Sequence, residues 1–267
     1  MISVTLGKMV SLCYNISIMK NYIVFDLEWN QSANGKERSI PHFPFEIIEI
    51  GAVKLNETFQ MVDEFHRLIR PQVYTQMHHA ISEVTHMDMK ELRNSGELFP
   101  DAAADFLSWC GGGAVFFTWG NMDLLELQRN MDYYHMDNPF PKPLFYYDVQ
   151  KLYGLFRREN ARISLDSAVE EQSLLENRPF HRALDDAYYT GKLLTMLGHE
   201  PGPDTILPFL SVDYYRLPAD KKEEIRMTFP GYSKYVSRIF DTKEDAMEDC
   251  LCGRRRGSAG RRAGSGS

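Results

Sequence analysis

The sequence contains no apolar run approaching the roughly 18 residues needed to cross a bilayer, so a membrane-spanning protein is not expected. Cysteine is scarce, with four in 267 residues, at positions 13, 110, 250 and 252. That is a poor disulfide framework, and it points to a reducing, cytoplasmic compartment. Positive charge is also short: 30 Lys and Arg face 37 Asp and Glu, a net charge of −7. Arg254, Arg255, Arg256, Arg261 and Arg262 crowd into residues 253–267, which hold no acid, so the rest of the chain is more acidic still. An acidic body does not coat phosphate backbones broadly. It remains compatible with a site in which carboxylates hold metal ions and those ions face a phosphate. Internal repeats are absent.

What is present is the core of a soluble protein, with 43% hydrophobic and 25% charged residues. Residues 1–20 form a weakly hydrophobic lead with no small-x-small cleavage site, and Met19 is the expected start. Strand-like apolar runs follow at Tyr22–Leu27, Ile47–Leu55, Glu64–Ile69, Ala114–Trp119 and Leu144–Val149. Helical spacing marks Pro100–Trp109, Met122–Tyr134, Leu165–Leu175 and Arg182–Leu197. Three strands in succession, then strands separated by helices, predict an α/β domain over residues 21–200 with a mixed sheet. Four prolines between 199 and 218 mark a break, followed by an appendage over 201–249. Residues 250–267 are a low-complexity Arg/Gly/Ser tail.

Three segments carry candidate chemistry. In IVFDLEWN, Asp26 and Glu28 stand two apart on a strand, so their carboxylates share a face at its end. Side by side they repel, and a divalent cation would relieve that cost. An isolated D-x-E more often marks a solvated strand end. In WGNMDLLELQRNM, Asn121 is a candidate helix cap and Asp123 falls in the first turn, where the helix dipole alone favours an acid by under about 1 kcal/mol. In RPFHRALDDAYYTGKLLTML, Pro179 ends a segment, His181 precedes a helix, and Asp185 and Asp186 lie early on it. Its expected buried stripe is Ala183, Leu184, Ala187, Tyr188, Gly191 and Leu194.

The order of these segments resembles the DEDDh family of DnaQ-like 3′–5′ exonucleases. The likeness covers about residues 21–198 and includes EIIEIGAV, the WGxxD context and YDVQKLY. Within that family it resembles the KapD-like proteins and the exoribonucleases that trim histone-mRNA and small-RNA ends. The resemblance implies a ribonuclease H-like fold, a mixed five-stranded sheet flanked by helices. It also implies that Asp26, Glu28, Asp123 and Asp186 hold two Mg2+ or Mn2+ ions and that His181 is the general base. Asp186 rather than Asp185 matches the family's spacing of five from the histidine. Two departures bear on substrate choice: Trp29 replaces the usual small residue after the first-motif glutamate, and Val84-Thr85-His86-Met87 stands where many relatives carry a Leu-Thr-Gly-Ile-like stretch.

The implied activity is stepwise release of nucleoside 5′-monophosphates from a single-stranded nucleic acid with a free 3′ end, RNA favoured over DNA. Trp29 is a candidate base-stacking platform or, equally, a buried anchor. Arg157, Arg158 and Arg162, or Arg178 and Arg182, are either phosphate contacts or solvated helix faces. Two other functions remain open: a DNA-directed proofreading or repair exonuclease, and a non-catalytic binding module on the same fold. Cys250 and Cys252 read as two free thiols or as the remnant of a zinc-binding extension.

Overall fold

The structure, a computed structural model, describes residues 21–34, 39–140, 144–158, 162–197 and 207–209. The N-terminal lead, the tail, Cys250 and Cys252, and all but three residues of the appendage lie outside the described residues.

Chain order is β1 (Asn21–Gln31), β2 (Phe45–Leu55), β3 (Met61–Leu68), α1 (His79–Thr85), α2 (Met89–Ser95), α3 (Phe99–Cys110), β4 (Ala114–Thr118), α4 (Met122–Tyr133), β5 (Leu144–Asp148), α5 (Val149–Arg157), α6 (Leu165–Glu171), α7 (Ala183–Leu197) and β6 (Leu207–Phe209). The sheet runs β3-β2-β1-β4-β5-β6. The first three strands are antiparallel, and β1, β4 and β5 are parallel. This is the mixed five-stranded sheet expected for a ribonuclease H-like fold. The three-residue β6 is added antiparallel to the edge of β5, from a stretch whose prolines mark a break in the sequence.

Alternating side chains divide the core in two. On one face Phe25 packs against Phe106 and Phe116, and Phe106 against Phe65. On the other, Tyr22, Val24, Val53, Phe117 and Tyr147 bury Leu194 of α7. Burying each such side chain contributes about 1.5–3 kcal/mol. Helix α7 has a second buried side, where Tyr189 and Leu193 meet Tyr153 of α5 and Leu165, Ala168 and Val169 of α6. The expected stripe therefore described only half of its contacts. Leu184 and Tyr188 are half-buried, while Tyr189 and Leu193, outside the expected stripe, are buried.

Helices α1, α2 and α5 have no counterpart in the sequence reading. A buried carboxylate organises the loop before α1. Glu46 accepts N–H groups from Gln72, Val73 and Tyr74 at 2.6, 3.1 and 2.7 Å and the Tyr134 hydroxyl at 2.8 Å. Asn30, at the far end of β1, clasps the same loop, donating to the carbonyls of Tyr74 and Gln76 and accepting from His78 N–H.

Candidate active site

Strand β1 does not stop at its acids. It continues to Gln31 because pairing with β2 persists along its whole length, across a bulge between Glu28 and Trp29. Pairing with β4 ends at Val24. Asp26 and Glu28 therefore lie within a strand that overhangs its parallel neighbour, and the open side receives the start of α4. There the Leu27 N–H, with no β4 partner, donates to Asp123 Oδ1 at 3.2 Å. Asn121 does occupy the N-cap of α4, yet its side chain makes no capping hydrogen bond.

Helix α7 supplies the rest. Register places Asp26 opposite Gly51 and Glu28 opposite Glu49. A Cβ at Gly51 would lie 2.0 Å from Leu184 N and 2.1 Å from Ala183 C. Only glycine lets the helix start rest directly on β2, and that contact carries Asp186 to the acids of β1. Asp186 also receives the His181 N–H, at 3.2 and 3.3 Å to its two oxygens. The exchange resembles a capping box, an early helical side chain reaching back to the N–H before the helix. His181 itself has φ 63° and is exposed.

The result is convergence. Glu28, His181 and Asp186 each present a donor atom, and these atoms lie within 4.8 Å of one another. Desolvation holds the Asp26 carboxyl well above the ordinary range, and the charges of Asp123, Asp186, Glu28 and Glu49 push it further. Glu28 is raised to about 8, by burial first and then by Asp186, Glu49 and Asp123, with Arg182 opposing. Asp123 reaches about 7 through burial, offset by N–H groups including that of Leu27 and aided by Asp148 and Glu126. Asp186 also reaches about 7, burial again outweighing the His181 N–H. Four mutually repelling carboxylates of hard oxygen donors suit Mg2+ or Mn2+.

Asp185 is turned elsewhere and pairs with Arg178 at 3.1 Å. Arg178 also reaches Glu64 at 3.4 Å and covers the Tyr188 ring, while Arg157 pairs with Glu171 at 3.0 Å. These arginines are engaged by protein carboxylates. Trp29 is half-buried, its ring 5.7 Å from that of Phe45.

Two acids beside the cluster were not singled out in the sequence. Asp148, the buried last residue of β5, pairs with Lys151 at 3.1 Å. Glu49, fully buried on β2, accepts from His66 Nε2 (2.7 Å), Arg182 Nη2 (2.8 Å) and Ala183 N–H (3.0 Å). Burial would raise its carboxyl, but these donors together hold it below the ordinary value. The signal for Glu49 was available: a charge inside the apolar run IIEIGAV, two residues before the glycine that admits α7.

A mixed sheet whose overhanging strand meets two helix starts in a ring of acids is the arrangement of a nuclease of the ribonuclease H-like fold. The RNase_T exonuclease family matches residues 23–194, and the chain belongs to that family. It is 28% identical over 200 residues to the probable 3′-5′ exonuclease KapD of Bacillus subtilis (strain 168), covering 69% of this chain and 90% of KapD. In fold it is similar to the nuclease domain of 3′hExo, a DEDDh family member bound to rAMP, with TM-score 0.56 and 22% identity over 68% of this chain and 92% of that one. S. pombe Pop2p in its Mg2+- and Mn2+-bound form shares the fold with TM-score 0.54 and 14% identity, over 76% of this chain and 95% of that one.

Proposed function

We propose that the protein degrades single-stranded nucleic acid, RNA in preference to DNA, from a free 3′ end and releases nucleoside 5′-monophosphates. The observation that carries this reading is the meeting of Asp26, Glu28, Asp123 and Asp186, from three separate elements, beside the exposed His181 imidazole. Two Mg2+ or Mn2+ ions, when bound, supply positive charge to the scissile phosphate and acidify a water.

The carboxylates of Asp26, Glu28, Asp123 and Asp186 would hold those ions. His181 takes the proton from the attacking water, as a general base within reach of the reacting group. Asp186 has a second duty, fixing the backbone of His181 through its N–H. Trp29, half-exposed just past Glu28, offers a ring against which the terminal base can stack. The RNA preference is supported by the ribonucleotide held by 3′hExo.

The test is a time course on matched 5′-labelled RNA and DNA oligonucleotides, with and without Mg2+ or Mn2+. A ladder shortening from the 3′ end, faster on RNA and abolished by chelation and by Asp26→Asn, is expected. A faster reaction on DNA overturns the substrate preference, and an undiminished rate for Asp26→Asn overturns the metal assignment. Absence of metal-dependent degradation of either polymer would point to the binding module instead.

A further inference from the structure

A general base is ordinarily aimed by a third group that hydrogen-bonds its ring. His181 has none: among the described residues its only hydrogen bonds are those of its backbone N–H to Asp186. The charge of Asp166 acts on the imidazole, and with no ring hydrogen bond its aim rests chiefly on the main chain. That main chain is in the left-handed region at φ 63°, a conformation a non-glycine residue keeps only where its surroundings enforce it.

The enforcement is visible on the C-terminal side of the histidine. Asp186 N–H bonds the Arg182 carbonyl at 2.9 Å, so Arg182 is the N-cap of α7, a position that residues with short polar side chains usually fill. Its side chain turns to Glu49 instead, with Nε at 3.1 and 3.3 Å from the two carboxylate oxygens and Nη2 at 2.8 Å. Glu49 also accepts the N–H of Ala183, the first residue of the helix, and so serves as the cap from another strand. His66 on β3 anchors the far side of the same carboxylate. Both residues after His181 are thus tied to one buried group on β2, and its own N–H is tied to a helix that this group caps.

We propose that Glu49 and Arg182 are positioning residues for the hydrolytic step, aiming the His181 imidazole by clamping the two residues that follow it to strand β2. Glu49 lies among the metal-site acids, but its oxygens are taken up by protein donors, which separates its role from theirs. The proposal rests on His181 being the base.

The experiment is a double-mutant cycle on the full chain. Glu49→Gln keeps the shape and an acceptor for Ala183 while removing the charge, and Arg182→Lys keeps the charge while removing the fork. Each is expected to lower kcat about tenfold with KM changed less than twofold. In the His181→Ala background each should cost less than twofold, since residues acting through one group are not additive. Mn2+ affinity by calorimetry should change less than threefold, and thermal melts identify any variant that fails to fold, in which case the other carries the cycle. The same tenfold loss with and without His181, a collapse of Mn2+ affinity, or full kcat in both variants overturns the proposal. Full kcat in His181→Ala alone overturns the base assignment instead.

Discussion

Gly51→Ala tests the claim that one close approach assembles the site. The added Cβ would stand 2.0 Å from Leu184 N, 2.1 Å from Ala183 C and 2.4 Å from Leu184 Cα, all backbone atoms that cannot rotate away. Restoring the ordinary lower limit of 3.4 Å requires the start of α7 to retreat by about 1.4 Å. Asp186 and His181 ride on that segment while Asp26 and Glu28 stay on β1. Since a misplacement of about 1 Å can cost about 10²-fold in rate, kcat should fall by at least that factor. Overpacking should also lower stability by about 1–3 kcal/mol. The internal comparison is Gly191→Ala, on the same helix, whose Cβ would meet side-chain atoms alone: the flexible Met61 Cε at 2.9 Å, Val53 Cγ2 at 3.0 Å and Val24 Cγ2 at 3.9 Å. That variant also gains helix propensity of about 1 kcal/mol, and its activity should stay within about threefold of the parent. Steady-state kinetics on a labelled oligonucleotide with parallel thermal melts would decide. A Gly51→Ala enzyme as active as Gly191→Ala would refute the idea that glycine sets the distance between the two halves of the site.

The remaining predictions concern the acids. Asp186→Asn should reduce turnover by about 10²-fold or more, whereas Asp185→Asn, removing only a partner of Arg178, should stay within about threefold; equal losses would show that the wrong aspartate has been assigned. Without divalent ions, the raised carboxyls of Glu28, Asp123 and Asp186 bind protons in the folded chain that the unfolded chain has already released. Stability should therefore fall as pH climbs from about 4 to about 8, and thermal melts in chelator should show this, with saturating Mg2+ flattening the slope. For the same reason the Mg2+ midpoint should drop about tenfold or more between pH 6 and pH 8, and a pH-independent midpoint would contradict the shifted carboxyls. Glu46→Ala strands three backbone N–H groups in the loop before α1 and should cost about 3 kcal/mol in a denaturant titration.

How much of this was legible depends on where each residue sits along its own element. Asp26 and Glu28 share a strand face by simple alternation. Asp123 and Asp186 fall in first helical turns that follow recognisable sequence breaks, so local pattern was enough to nominate them. Strands β2 and β4 were legible too, because IIEIGAV and AVFFT are apolar runs. Helices α1 and α2 were not, since each is seven residues long and rests on tertiary contacts such as Met87 and Leu92 against Ile48. The persistence of β1 to Gln31 also escaped pattern reading. Its outer half is held by β2 and by the Asn30 clasp rather than by apolar alternation.

Glu49 is the instructive omission. Spacing along β2 says that it shares a face with Gly51, but nothing along the chain says that this face is the one opposite Asp26 and Glu28. Only strand register supplies that fact, and register depends on pairing between segments about 20 residues apart. Once it is known, the logic of the strand follows. A carboxylate placed there would add a fifth repelling charge unless donors neutralised it, and His66, Arg182 and the Ala183 N–H do so from three directions. Asp148 follows the same rule through Lys151. Of the buried acids around this site, those given a cationic partner by the protein can serve structure. Among the described residues Asp26, Glu28, Asp123 and Asp186 make no ion pair, and their largely uncompensated charge makes a divalent cation the fitting partner.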